Sequence, residues 1–346
     1  MPYAELHLHL EGTLEPELAF QLAERNRVTL PWRDADDLRS RYDYGCLQDF
    51  LDIYYANMEV LRTAEDFADL TNAYLARAAR AGVVRAEVFL DLQAHLARGI
   101  PAETVLGGVS EALRASEATH GVSSGLIITF LRHLPADDAE HAYDQALATG
   151  VELLGIGLCS SEVGFPAAPF APLWERARAD GLHTVAHAGE EGDASYVWDA
   201  LRHLKVERID HGIRAMEDPT LVAHLRDHRI PLTVCPLSNV RLKAVPDLAA
   251  HPLPAMLDAG LMVTVNSDDP AYFGGYLDDN IAAVRRQFDL TDAQLATLAA
   301  NSFEASFLPP AEKARLLAEI SSGPTAGRLG GDINGSAGSS RDSSPV

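Results

Sequence analysis

Residues 5–11 read Glu-Leu-His-Leu-His-Leu-Glu, an alternation of polar and apolar side chains near the start of the chain. In a β-strand, residues two apart point to the same face, so this stretch predicts a strand with leucines on one face and two imidazoles and two carboxylates on the other. Burying the polar face without partners would be costly. Because imidazole is a common zinc ligand, a cation bound by His7 and His9 would offset that cost. Two surface histidines on an edge strand are the alternative interpretation.

The composition limits the classes of partner. Of the 346 residues, 47% are hydrophobic, which is normal for a globular protein with a sizeable core. The chain has 50 acidic and 28 basic residues and a net charge of −22. This balance argues against nucleic acid and anionic membranes as partners, because both require clustered lysine and arginine. A neutral or cationic small molecule is the expected substrate, and the oligomeric state is left open.

Cysteine usage and the chain start favour a cytoplasmic protein. Cys46, Cys159 and Cys235 are widely spaced and offer neither a disulfide framework nor a CxxC metal pair. The first residues lack the basic and apolar segments of a secretory signal. No apolar run approaches the roughly 18–20 residues that a membrane span needs.

Short apolar segments alternate with helical segments along most of the chain. After the opening strand, strands are predicted at 83–90, 125–131, 153–158, 183–187, 208–211, 231–235 and 262–266, each followed by a helix. Short, non-alternating apolar strands are typical of a parallel sheet covered on both faces. Eight such units predict an α/β fold, a (β/α)8 TIM barrel, and a doubly wound open sheet is the alternative.

Two further segments flank these repeats. Residues from about 15 to 80 have helical periodicity and predict a helical insertion after strand one, and extra C-terminal helices are predicted to end near Ile320. Residues 1–320 are therefore expected to form a single domain. Residues 321–346 are rich in glycine and serine and are expected to be a disordered tail, because they cannot bury enough apolar surface.

The polar residues at the predicted strand ends indicate where the chemistry lies, since barrels of this type carry their active sites at the carboxyl ends of the strands. These residues are His7 and His9, Ser160, Ser161 and Glu162, His187 and Glu190, His211, Ser238 and Asn239, and Asp268 and Asp269. Ser238 and Asn239 are interpreted as turn residues. Three imidazole sites and an aspartate pair at matching strand ends predict a mononuclear metal site.

His7, His9, His187 and Asp268 supply three nitrogens and one carboxylate oxygen. This set suits one Zn²⁺ per chain with water as a further ligand, although iron, manganese or cobalt also fit the ligand types. A bound ion would lower the pKa of its water towards about 7 and make hydroxide available at neutral pH.

Three other residues are candidates for proton transfer and substrate binding. Glu190 lies three residues beyond His187, where a carboxyl group can face the substrate and donate a proton to a ring nitrogen. His211 can accept a proton from the water or steady the hydroxide. Asp269 can hydrogen-bond a substrate N–H or nitrogen, or else cap the next helix.

Four motifs carry a family resemblance: Glu-Leu-His-Leu-His-Leu-Glu-Gly-Thr-Leu at 5–14, His-Ala-Gly-Glu at 187–190, Asp-His-Gly at 210–212 and Asn-Ser-Asp-Asp-Pro at 266–270. In this order and spacing they resemble the adenosine and adenine deaminase family of the amidohydrolase superfamily, over roughly residues 3–320. The resemblance implies a zinc-dependent (β/α)8 barrel that replaces the 6-amino group of a purine by oxygen and releases ammonia.

The same resemblance assigns roles to individual residues. It implies that His7, His9, His187 and Asp268 hold the metal. It also implies that Glu190 protonates the purine N1, that His211 assists the water and that Asp269 contacts N7.

Further motifs are similar to the branch of the family that converts adenine to hypoxanthine and ammonia in purine salvage. They are Phe-Leu-Arg-His-Leu-Pro at 130–135, Ser-Ser-Glu-Val-Gly at 160–164 and Asp-Asp-Pro-Ala-Tyr-Phe-Gly-Gly-Tyr at 268–276. One departure is Cys159, which stands where that branch usually has aspartate. Ser160, Ser161 and Glu162 are expected to bind substrate, with a carboxylate reaching an N–H that exists only in the free base.

Two alternatives to adenine deamination remain open at this stage. One is a deaminase of an adenosine-like nucleoside, either adenosine or aminodeoxyfutalosine. The other is a non-catalytic binding relative, which the loss of a ligand or of the acid would favour. The bulky residues Leu47, Phe50, Tyr54 and Tyr55 of the helical insertion favour the free base, because they are suited to filling the space that ribose would occupy.

Overall fold

The computed structural model describes residues 1–45 and 47–321, and within them eight parallel strands form one sheet in sequence order. The strands are β1 Tyr3–Glu5, β2 Val83–Leu90, β3 Ser123–Leu131, β4 Gly155–Cys159, β5 His183–Ala188, β6 Arg208–His211, β7 Leu232–Val234 and β8 Val263–Val265. The predicted (β/α)8 barrel is confirmed, and the doubly wound alternative is excluded. Residues 322–346, nearly all of the predicted tail, lie outside the described residues, as does Cys46.

Helices connect the strands and cover the barrel. In the described part of the chain they are α1 Pro16–Asn26, α2 Ala35–Arg39, α3 Leu47–Met58, α4 Ala64–Arg80, α5 Leu92–Ala97, α6 Ala102–His120, α7 Ala136–Ala148, α8 Ala171–Ala179, α9 Ala194–Asp199, α10 Pro219–Asp227, α11 Pro236–Arg241, α12 Leu253–Asp258, α13 Pro270–Phe273, α14 Leu277–Phe288, α15 Asp292–Ala305 and α16 Pro310–Ser321. None of them is both long and apolar enough to cross a membrane.

The helical insertion after strand one and the two C-terminal helices lie where they are predicted. The insertion consists of α1 to α4. The short helices α5, α11 and α13, which directly follow strands, are not predicted, because four to six residues are too few to establish a helical period.

The barrel closes between the first and last strands through the segment that carries the two early histidines. The regular β1 ladder ends at Glu5, earlier than predicted, yet the chain continues in an extended path. The His9 N–H donates to the Asp268 carbonyl at 3.0 Å, and the Asp268 N–H donates to the His7 carbonyl at 3.1 Å. On the other side, the Phe89 N–H donates to the Leu8 carbonyl at 2.8 Å. Residues 7–9 are therefore held between β2 and the segment after β8.

A buried ion pair closes the opposite end of the barrel. Arg208 is completely buried, and its guanidinium donates to a Glu87 oxygen at 2.6 Å and to the Leu6 carbonyl at 3.1 Å. The second Glu87 oxygen accepts from the Phe307 N–H at 2.6 Å, which ties the α15–α16 connection to the barrel. Phe89, Ile127 and Val185 form a small apolar layer between this pair and the histidines.

The ion pair gives a stability prediction. Arg208→Met should lower the free energy of unfolding by about 3–5 kcal/mol, because Glu87 would remain buried with only Arg85, at 3.3 Å, as a cationic partner. Urea unfolding followed by circular dichroism measures the change. The matched control is Arg226→Met, whose exposed pair with Asp227 should contribute less than about 1 kcal/mol. Equal losses in the two variants would contradict the assigned role of Arg208.

Candidate active site

Side chains from the carboxyl ends of four strands meet in one buried cluster. Its members are His7 and His9 after β1, His187 in β5, His211 in β6 and Asp268 after β8, each no more than 7% exposed. The Nε2 atoms of His9 and His187 lie 3.2 Å apart, and Asp268 Oδ1 lies 3.4 Å from His7 Nε2 and 3.7 Å from His9 Nε2. The structure thus brings together all four residues that the sequence predicts as metal ligands.

The orientation of the rings fits a divalent cation. The Nδ1 atom of each predicted histidine ligand faces an oxygen: Thr233 Oγ1 at 3.0 Å from His7, Asp91 Oδ1 at 3.5 Å from His9 and Asp210 Oδ2 at 3.5 Å from His187. Metal-bound histidines usually donate their other N–H to such an oxygen, which leaves the Nε2 lone pair for the ion. Among the described residues, His7 Nε2 is buried without a hydrogen-bond partner. The Nε2 atoms of His9 and His187 face each other, so the pair can share one proton or one cation.

Among the described residues, distance favours His211 over the predicted ligand His9 as the third imidazole, because His9 is absent from the set of mutually close ligand atoms. His7, His187, His211 and Asp268 offer ligand atoms that all lie within 4.8 Å of one another. The ring of His211 is nevertheless held differently, because its Nδ1 lies 3.3 Å from the side-chain nitrogen of Asn239 rather than from an oxygen.

Asp268 is fixed by residues of α11. Ser238 Oγ donates to Asp268 Oδ2 at 2.6 Å, and Asp268 itself adopts a left-handed backbone conformation with φ +67°. Ser238 and Asn239, interpreted from sequence as turn residues, therefore contact Asp268 and His211 directly.

The loop after β5 is organised by Glu162, and this corrects the predicted role of that residue. The two carboxylate oxygens of Glu162 accept four backbone N–H groups, from Gly189 at 2.6 Å, Glu190 and Glu191 at 3.0 Å and Gly192 at 2.9 Å. Glu162 is 2% exposed. Its acceptor capacity is used by the loop, so Glu162 positions Glu190 instead of reaching a substrate N–H.

Glu190 and Asp269 are two carboxyl groups that favour the neutral, protonated form. Burial, and next the negative charge of Asp268, raise the pKa of Glu190 well above its ordinary value. The same two causes raise the pKa of Asp269. Glu190 Oε1 and Asp269 Oδ1 are buried without hydrogen-bond partners among the described residues. Each group can therefore donate a proton or a hydrogen bond to a ligand in the cavity.

Asp269 is not a helix cap, although it precedes α13, because its side chain makes no capping hydrogen bond. Space for it comes from the first motif: a Cβ atom at Gly12 would lie 2.0 Å from Asp269 Oδ1. A side chain at position 12 would thus displace Asp269 from the cavity.

A cavity opens over the cluster. Its apolar wall comes mainly from α3, with Phe50, Leu51, Tyr54 and Tyr55, and from Leu131, Cys159 and Leu242, while Glu190, His211, Asp268 and Asp269 face it from the barrel. Ser160, a predicted substrate contact, lines the cavity, and its Oγ lies 2.8 Å from His133 Nδ1. Ser161 is not part of this lining, and neither is Glu162.

Sequence reasoning missed Asp91, which faces His9 and also accepts hydrogen bonds from Thr129 and Cys159. Asp91 directly follows β2, so the strand-end rule that identified the other residues would also have found it. Thr233 and His251 gave no such signal, because an isolated threonine within a strand or histidine in a loop is common.

A (β/α)8 barrel with converging imidazoles, an aspartate and a carboxyl group of raised pKa at the strand ends is the arrangement of a metal-dependent hydrolase. The family model described as "Adenosine deaminase" matches residues 2–322, and the chain belongs to this family.

Several relatives extend over nearly the whole chain. An adenine deaminase of Streptomyces coelicolor is 58% identical over 322 residues, which are 92% of this chain and 95% of the relative. An adenine deaminase of Stutzerimonas stutzeri is 54% identical over 88% of this chain and 96% of the relative. The crystal structure of an adenine deaminase from Arthrobacter aurescens is 56% identical, covers 92% of this chain and 98% of its own, and superposes with a TM-score of 0.91. The structure of a zinc-bound amidohydrolase from Burkholderia ambifaria is 27% identical, covers 93% of this chain and 90% of its own, and superposes with a TM-score of 0.86.

The cluster gives a prediction on metal content. Purified protein should contain about one divalent ion per chain, and Asp268→Ala should lose both the ion and the activity, because three neutral imidazoles without the carboxylate hold it poorly. Plasma mass spectrometry on gel-filtered protein measures the content. Asp138→Ala, at an exposed position of α7, should retain the ion. Full activity in thoroughly demetallated protein would contradict the prediction.

Proposed function

We propose that the chain is a zinc-dependent adenine deaminase that converts adenine and water to hypoxanthine and ammonia. One observation carries the proposal: two carboxyl groups whose pKa is raised by burial, Glu190 and Asp269, line the same cavity as His9, His187, His211 and Asp268. A purine carries an acceptor nitrogen on each side of its 6-amino carbon, N1 and N7, and therefore matches two such donors. The relatives named adenine deaminase, at 54–58% identity, support the same substrate.

The proposed zinc ligands are His7, His9, His187 and Asp268. Support comes from the oxygens that face the three Nδ1 atoms, at 3.0–3.5 Å, and from His7 Nε2, which is buried without a hydrogen-bond partner among the described residues. When bound, the ion supplies a water of lowered pKa, near 7 in comparable sites. The zinc-bound amidohydrolase supports the choice of metal.

The residues of the chain carry the remaining chemistry. Glu190 donates its proton to N1, which makes C6 more electrophilic, and Asp269 donates a hydrogen bond to N7. The water oxygen forms a bond to C6, and the C6–N bond to the amino group breaks. Of the two protons of the water, one ends on the leaving ammonia and the other restores the Glu190 carboxyl. His211 and Asp268 face the attacking water, with His211 Nε2 3.8 Å from Asp268 Oδ2.

The free base is favoured over a nucleoside by the wall of the cavity. Phe50, Leu51, Tyr54 and Tyr55 place four bulky side chains of one helix over the cluster. Ribose would have to displace part of this wall. Ser160 is the proposed polar contact to the edge of the base, and Glu162 contributes only through the loop that carries Glu190.

Deamination of adenosine is the second candidate, favoured by the description of the family model. A non-catalytic relative is disfavoured, because none of the proposed ligands has been lost from the sequence and the proposed acid Glu190 lines the cavity together with His9, His187 and Asp268.

Substrate choice is tested by ammonia release from adenine, adenosine and aminodeoxyfutalosine. The kcat/KM for adenine should exceed that for adenosine by about 10⁴ or more, as in sites that discriminate through buried polar groups and shape. Leu51→Ala, which opens the wall, should narrow this ratio. Ile53→Ala, on the same helix but outside the cavity lining, is the matched control and should not. Comparable kcat/KM values for adenine and adenosine would contradict the proposed preference for the free base and favour the nucleoside alternative.

The role of Glu190 is tested by Glu190→Gln, which keeps the size of the side chain but delivers no proton. The expected loss in kcat is about 10²–10⁴, the usual contribution of a general acid, with unchanged metal content. In the unmodified enzyme, activity should fall as pH rises through the raised pKa of Glu190, because only the protonated acid can act. Glu175→Gln, at an exposed position of α8, should keep normal turnover. Near-normal turnover in Glu190→Gln would place the proton donor elsewhere.

A further inference from the structure

A chain of three buried side chains runs from a backbone N–H group to the active site. His251 Nδ1 lies 3.1 Å from the Leu253 backbone nitrogen, and His251 Nε2 lies 3.2 Å from Asn239 Oδ1. Asn239 Nδ2 in turn lies 3.3 Å from His211 Nδ1. All three side chains are nearly inaccessible to solvent, with His251 at 3%, Asn239 at 0% and His211 at 1% exposure.

The chain has a single direction, because a backbone N–H group can only donate. The Leu253 N–H therefore makes His251 Nδ1 the acceptor, and the proton of a neutral His251 ring must lie on Nε2. That N–H needs an acceptor, which is Asn239 Oδ1. The amide nitrogen of Asn239 then faces His211 Nδ1 and donates to it. The reverse orientation of the amide would set one N–H group against another.

The protonation of His251 agrees with this direction. Burial lowers the pKa of His251 to about 4, so the ring carries one proton at neutral pH. The position of that proton is set by the two hydrogen bonds of the ring.

We propose that Leu253, His251 and Asn239 form a relay that fixes His211 in the tautomer with its proton on Nε2. His211 then acts as a hydrogen-bond donor to the attacking oxygen and is neither the base that deprotonates the water nor a metal ligand. Asn239 and His251 are positioning residues that act through His211. The inference deepens the proposed deaminase function and rests on it for its catalytic meaning.

The surroundings of His211 Nε2 suit a donor. Glu190 Oε2 lies at 3.4 Å and Asp268 Oδ2 at 3.8 Å, and both are oxygens. With Nε2 already protonated, the proton that the water loses goes to the Asp268 carboxylate and from there to the leaving amino group. The same tautomer decides between His9 and His211 as the third metal ligand, because a protonated Nε2 of His211 has no lone pair for an ion.

The direct test is the tautomer of His211 in the full-length protein, measured by long-range ¹H–¹⁵N correlation on histidine-labelled enzyme with and without zinc. The His211 signals are assigned by their loss in His211→Gln. We expect Nδ1 to be unprotonated and Nε2 protonated in both preparations. A proton on Nδ1 in the zinc-loaded enzyme overturns the proposal, whether or not the protein deaminates adenine.

Variants test the relay link by link. Asn239→Asp replaces the amide donor by an acceptor and should move the His211 proton to Nδ1. Because a histidine of the wrong tautomer is a poor catalyst, kcat should fall about 100-fold or more. The zinc content should not change. His251→Gln keeps a donor and should retain kcat within a few-fold. His251→Phe removes the donor and should lose at least about 10-fold, with little change in KM.

His141→Phe, at an exposed position of α7, is the control for histidine replacement. Equal kcat in His251→Phe and the unmodified enzyme, or an unchanged His211 tautomer in folded Asn239→Asp, overturns the relay. If Asn239→Asp does not fold, the relay is tested by the His211 tautomer in the unmodified enzyme and in the two His251 variants. An expected tautomer without adenine turnover would refute the proposed function and leave the relay in place.

Discussion

The pairing of the His7–His9 segment with Asp268 is the constraint on which the site depends. Two backbone hydrogen bonds, from the His9 N–H to the Asp268 carbonyl and from the Asp268 N–H to the His7 carbonyl, close the barrel where ladder pairing has stopped. The same bonds place the first and last of the proposed ligands within 3.4–3.7 Å. The same hydrogen bonds therefore close the barrel and assemble the cluster, and a substitution that breaks them affects both.

The barrel interior separates two concentrations of charge. At one end Arg208 and Glu87 form an ion pair, and at the other end the imidazoles and Asp268 could hold a cation. The layer of Phe89, Ile127 and Val185 between them lets each end satisfy its polar groups independently. Both ends follow the rule that buried charges are costly unless they are paired or bound to metal.

Chemically identical side chains receive different tasks from their surroundings. Asp268 accepts a hydrogen bond from Ser238, whereas its neighbour Asp269 is buried beside that negative charge and favours protonation. Glu162 is used up by four backbone N–H groups, whereas Glu190, in the loop that Glu162 holds, keeps a free oxygen for a ligand.

The sequence by itself determined the eight βα units and the set of residues at the strand ends, because both depend on periodicity and on the polarity of short segments. The sequence predicted strand β2 at its observed bounds. It also predicted that His7, His9, His187 and Asp268 share one site, and the structure places these four residues close together. Only the tertiary structure decided the task of Glu162, the presence of Asp91 beside His9 and the link from His251 through Asn239 to His211. These roles depend on which donor faces which acceptor across separate loops, and hydrogen-bond direction leaves no periodic trace in a sequence.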